Sequence, residues 1–140
     1  MTMVELRTLC VADFPRSAVR GNLMSNLESI VAEIQRVNLH GDLWVDGSFL
    51  TKKINPGDVD FVLHVTEGQG FSQQKNEHVR VMKWIGSNLK ASHKCDSFHN
   101  IIPPVVHMTY TIAIARKAYW EKQFGYSRGN IAKGIAVIHV

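Results

Sequence analysis

At 140 residues, with 45% hydrophobic and 20% charged side chains, the chain has the size and balance of one globular domain around one core. No apolar run approaches the roughly 20 residues a membrane span needs, and residues 1–13 hold an acid, Glu5, with no continuous apolar stretch, so neither a membrane protein nor a secretory leader is expected. Two cysteines far apart, Cys10 and Cys95, exclude a disulfide framework and point to the cytoplasm. A net charge of +4 suits polyanionic partners such as nucleotides or RNA, although basic residues this scattered are more simply read as a solvated surface.

The first element expected is a helix over Ser17–Asn38. Val19, Leu23, Leu27, Ile30, Val31, Ile34 and Val37 recur at three- and four-residue steps and form one core-facing stripe. Pro15 and Ser17 are start signals, and Gly41 lies just past the end. Leu43–Val45 then reads as a short strand running into Asp46-Gly47-Ser48, and Val59–Val65 as a second strand closed by Gly68-Gln69-Gly70. Gln73–Leu89 reads as a helix with Val79, Met82, Ile85 and Leu89 inward, and Cys95–Ile102 as a third strand ended by Pro103-Pro104. In Val106–Phe124 the first half is β-rich and the second, from Arg116, has helical composition; Gly134–Val140 reads as a final strand. This order gives an α/β (α+β) fold with a mixed β-sheet and flanking helices, and no repeat or linker divides residues 1–140.

Chemistry concentrates in Leu43–Val65. Asp58 and Asp60 are two residues apart on a strand, so they leave one face while Val59 and Phe61 enter the core. Two carboxylates placed together repel unless a cation lies between them, and aspartate oxygens are what Mg2+ (or Mn2+) takes, beside water and substrate phosphates. Gly47 and Ser48 supply the complementary half: a backbone able to approach a phosphate closely, and a hydroxyl donor. The connection from Phe49 to Gly57 carries Lys52 and Lys53, which are within reach of phosphate oxygens, although loop lysines are more often simply solvated.

An apolar strand, Gly-Ser, about a dozen residues and then Asp-x-Asp between apolar positions resembles the DNA polymerase β-like nucleotidyltransferase superfamily. The match is to its minimal members, found in toxin–antitoxin and phage-defence modules. DGSFLTKK…PGDVDFVL, with YWEKQFGYSRGNIAKGIAVI near the end, also looks like an uncharacterised bacterial and phage family of that type. The resemblance implies a nucleotidyltransferase fold, Mg2+ (or Mn2+) on Asp58 and Asp60, and an NTP whose phosphates lie on Gly47 and Ser48. It also implies a third carboxylate on a neighbouring strand. Asp96 is the best candidate for that role and a third metal ligand, with a turn residue the equal alternative. The implied reaction is transfer of a nucleoside monophosphate to an RNA or protein hydroxyl, with the acceptor surface borrowed from a toxin partner or a homodimer. The competing expectation is a binding module on the same fold: an antitoxin, inhibitor or nucleotide sensor. Asp46 stands where the superfamily prefers an apolar residue and is read first as an exposed strand end, and second as an auxiliary acid.

Other signals weigh less. His93, Cys95, His99 and His107 match no zinc spacing. Tyr119, Trp120 and Phe124 more simply close a core than stack on a base. Arg128 and Lys133 read as solvent-facing.

Overall fold

A computed structural model describes residues 1–104, 108–125 and 134–140, the side chains of 124 and 125 excepted. Helix α1 (Met3–Arg7) begins at Thr2, whose side chain accepts from the Glu5 amide while Glu5 reaches back to the Thr2 amide. It runs into a π-helical turn, Thr8–Ala12, and the two bury Leu6 and Cys10. Helix α2 (Arg20–Arg36) starts three residues later than expected. Ser17 is nevertheless its start signal, because its Oγ accepts from the Val19 and Arg20 amides. The apolar stripe is core: Leu23, Leu27, Ile30, Val31, Ile34 and Val37 are all buried.

Five strands follow: β1 (Asp42–Asp46), β2 (Val59–Glu67), β3 (Gly70–Phe71), β4 (Cys95–Ile102) and β5 (Ala136–His139). Strand β2 is the spine, antiparallel to β1 and parallel to β4, with the two-residue β3 against its end; β5 pairs antiparallel with the outer side of β1. The fold is α+β with a mixed sheet and flanking helices. Among the described residues no helix is long and apolar enough to cross a membrane.

The pleat sorts side chains into two layers. Leu43, Val45, Val59, Phe61 and Leu63 join the main core with α2 and the helix α3 (Asn76–Gly86). Full burial of each such side chain contributes roughly 1.5–3 kcal/mol. Trp44 and Val62 face the other way, against Phe98, Trp120, Ile135 and Val137. That second face lies under α5 (Tyr110–Gly125), where among the described residues only Ala113 is buried.

Four expectations need correction. Gln73–Leu89 is not one helix: α3 ends at Gly86, and a four-residue helix α4 (Lys90–His93) follows a left-handed Asn88. On α3 His78 is fully turned inward, bonded to Val37 O and the Ser72 amide, while Val79 is only part-buried. Of the β-rich half of Val106–Phe124, residues 106 and 107 lie outside the described residues, and Tyr110 to Ala115 is helical, because Ala113 and Ala115 dilute its β-branched residues. Strand β1 opens one residue before the expected Leu43, at Asp42, which pairs with His139 across to β5.

Candidate functional site

Strand register builds the acidic cluster. Asp46 on β1 stands opposite Asp60 on β2, and Asp60 stands beside Asp96 on β4. Directly paired residues share a sheet face at about 4.5–5.5 Å between Cβ atoms. The three carboxylates therefore form a row across three adjacent strands, at one end of the face that carries Trp44, Val62 and Phe98. Asp58 lies one residue before β2, on the same side as Asp60, while Val59 and Phe61 are fully buried opposite. Asp46 is not an exposed strand end: only 4% of it is accessible, at the end of β1 where it stands opposite Asp60 of β2. Asp96 is not a turn residue but the second residue of β4, and its carboxylate ties the loop that leaves α3 by accepting from Asn88.

Crowding has an electrostatic consequence. Burial first, then the charges of Asp58, Asp96 and Asp46, push the Asp60 carboxyl up to about 6, while Lys90 pulls it the other way. A carboxyl whose folded pKa is raised destabilises the fold once ionised, so stability falls as pH rises from about 4 to 6. His64, at the far end of the same face, is pushed by burial and Lys117 down to about 4, and its contribution is lost as pH falls over that window. The two slopes oppose each other. Asp60→Asn is therefore expected to steepen the acid-side loss and to add about 1–2 kcal/mol at pH 7, discounted for partial exposure. Urea titrations of both proteins at pH 4, 5, 6 and 7 measure it; equal slopes would contradict the assignment.

The turn after β1 is fitted to these acids. Gly47 has φ +84° and ψ −167°, a region open essentially to glycine alone, and a Cβ there would run into Asp60 Oδ2. The glycine thus closes directly on a carboxylate, whereas the sequence suggested only a phosphate approach. Ser48 opens a 3-10 turn, Ser48–Leu50, and is part-exposed. Lys52 and Lys53 are exposed on the following loop. Beside Gly47 lies a cavity of about 290 Å3, lined by Asp46, Gly47 and Thr51 together with Leu9, Leu50 and Ile135. A larger one of about 420 Å3 sits among α2, α3 and His93, away from the acids.

Arg20 was missed at the sequence level. Its side chain is completely inaccessible, and the guanidinium donates to the carbonyls of Cys10, Phe49, Thr51 and Lys53, with a long 3.5 Å contact to Ser48 O. It also lies 3.7 Å from the Phe14 ring centre. Four of the five carbonyls belong to the loop that follows Gly47, so one cation from α2 fixes that loop's path. Asn55 adds a second tie, its Oδ1 accepting from the Ala18 amide.

The donor set offered to a divalent ion is carboxylate oxygen throughout, which suits Mg2+ or Mn2+. A cation already stands there: Lys90 Nζ is 3.2 Å from Asp58 Oδ2. Asp96 Oδ1 accepts from Asn88 Nδ2 at 2.6 Å. Among the described residues no three His, Cys, Asp or Glu side chains are arranged to hold a metal. Charge and donor type fit the ion; the Lys90 and Asn88 bonds are what it has to replace.

The remaining candidates disperse. Cys95 is buried in the main core, His93 packs against Trp84, and His99 is exposed on β4; His107, Arg128 and Lys133 lie outside the described residues. Trp120 packs on Phe98 at 4.7 Å between ring centres, as a core-closing aromatic should, while Tyr119 is largely exposed; the Phe124 side chain is outside the description.

A model of a family of unknown function, DUF6932, matches residues 1–139. No curated protein and no solved structure matches the chain.

Proposed function

We propose that this chain, which belongs to the DUF6932 family of unknown function, is a metal-dependent nucleotidyltransferase that moves a nucleoside monophosphate from an NTP to an RNA or protein hydroxyl. The observation that carries the reading is the carboxylate row Asp46–Asp60–Asp96, with Asp58 beside it and Gly47 closed onto Asp60. Asp58 and Asp60 hold Mg2+ (or Mn2+), with Asp96 as third ligand; the ion's contribution is to neutralise charge on the phosphates. Gly47 and Ser48 hold the β- and γ-phosphates, and Lys52 and Lys53 reach their outer oxygens. Asp96 takes the proton of the acceptor hydroxyl, whose oxygen bonds to the α-phosphorus as pyrophosphate leaves. Positioning and charge compensation supply most of the acceleration, since this displacement needs little covalent help. The setting is the cytoplasm, in a toxin–antitoxin or phage-defence module, with the acceptor surface completed by a partner or a second copy.

A second reading, a nucleotidyltransferase fold that binds without transferring, is favoured by one observation. Asp58 and Asp96 are already bonded to Lys90 and Asn88. Melting temperatures with Mg2+ and each NTP test the shared part of both readings, since a ligand selective for the folded state must raise them. Asp58→Asn with Asp60→Asn is expected to abolish the metal-dependent rise and leave a folded protein. A double variant that responds like the parent would move the site elsewhere.

A further inference from the structure

Lys90 opens the four-residue helix α4, and its ammonium is turned back onto the acids. Besides the ion pair with Asp58, its charge acts on Asp96 and Asp60. Asn88, two residues earlier, donates to Asp96 and accepts from the Lys90 amide, so one short segment engages the polar atoms of both flanking acids. The Lys90 side chain is 62% exposed, and an ion pair in that setting is worth little in water, so it is readily exchanged.

We infer that Lys90 is an internal counter-ion, occupying the cation position of the acid row in the metal-free protein and displaced when a divalent ion binds. The inference rests on Asp58 and Asp60 being the metal ligands, and it makes Lys90 a competitor that weakens metal binding. If Lys90 merely tethered α4 to the sheet, its removal would leave metal affinity unchanged or reduce it.

Binding of Mn2+ alone, read from the electron paramagnetic resonance signal of the free ion, tests this without any activity assay. Lys90→Met and Lys90→Gln are expected to bind Mn2+ about two- to fivefold more tightly than the parent, the factor set by an exposed ion pair. Lys90→Arg, which keeps the charge, should stay near the parent, as should Lys83→Met on the exposed side of α3. Circular dichroism melts confirm that each variant is folded. Unchanged or weaker Mn2+ binding in both uncharged Lys90 variants would overturn the counter-ion role; if Asp58→Asn with Asp60→Asn still lost the ion, the site itself would stand. No Mn2+ binding by any of the proteins would overturn the inference and the metal site together.

Discussion

Replacing Arg20 by methionine is expected to remove about 3–5 kcal/mol of unfolding free energy, a large share of what a domain of this size possesses. A charge fully inside a protein is ordinarily matched by a carboxylate; here backbone carbonyls of residues 10, 48, 49, 51 and 53 surround the guanidinium. Methionine fills much of the volume but donates nothing, so carbonyls aimed inward lose their partner. Residues 51 and 53 are exposed, and water recovers part of that loss. Lysine keeps the charge yet cannot present a planar fork to acceptors spread along a loop, so Arg20→Lys should restore less than half. Urea unfolding of the three proteins measures this. A loss under about 1 kcal/mol in Arg20→Met would mean that the carbonyl cage adds little beyond an ordinary surface hydrogen bond.

Gly47→Ala is the second large effect, with an expected cost of about 2–4 kcal/mol from two separable sources. One is the backbone: at φ +84° and ψ −167° a side chain is strained whatever surrounds it. The other is the collision of the new Cβ with Asp60 Oδ2. A double-mutant cycle divides them. Asp60→Ala in the Gly47→Ala background relieves the collision and leaves the strain, so the pair should cost about 1 kcal/mol less than the sum of the single changes. Strict additivity would mean that the glycine and the carboxylate do not touch.

Local signals made much of this architecture legible. The α2 stripe needed only the three- and four-residue spacing of its apolar positions. The outward turn of Asp58 and Asp60 needed only the alternation of a strand, and Val59 and Phe61 are buried as that alternation requires. What escaped was non-local. Asp46 is buried among groups from distant parts of the chain: Asp60 stands opposite it on β2, and Leu9, Ile135 and Ala136 line the same cavity. The alignment of Asp46, Asp60 and Asp96 depends on strand register, and no short window of sequence states it. Arg20 carried no signal because most of its acceptors are backbone carbonyls about 30 residues away, where side-chain identity is nearly irrelevant. Near Tyr110 the β-branched residues gave a β-rich composition that left the element untyped, and the alanines between them, together with the sheet face below, decided for a helix.

Label transfer from α-32P-NTPs addresses the central claim most directly. The purified chain would be incubated with total RNA and cell lysate, in Mg2+ and in Mn2+, with each of the four nucleotides. The enzyme reading predicts labelled RNA or protein with the parent chain. It also predicts loss of most of that transfer in Asp96→Asn, by about 10²–10⁴-fold if the carboxylate takes the acceptor proton, with nucleotide binding nearly unchanged. Transfer at full rate in Asp96→Asn would retire that residue's role; no transfer by the parent with any nucleotide would contradict the enzyme reading and leave the fold as a binding module.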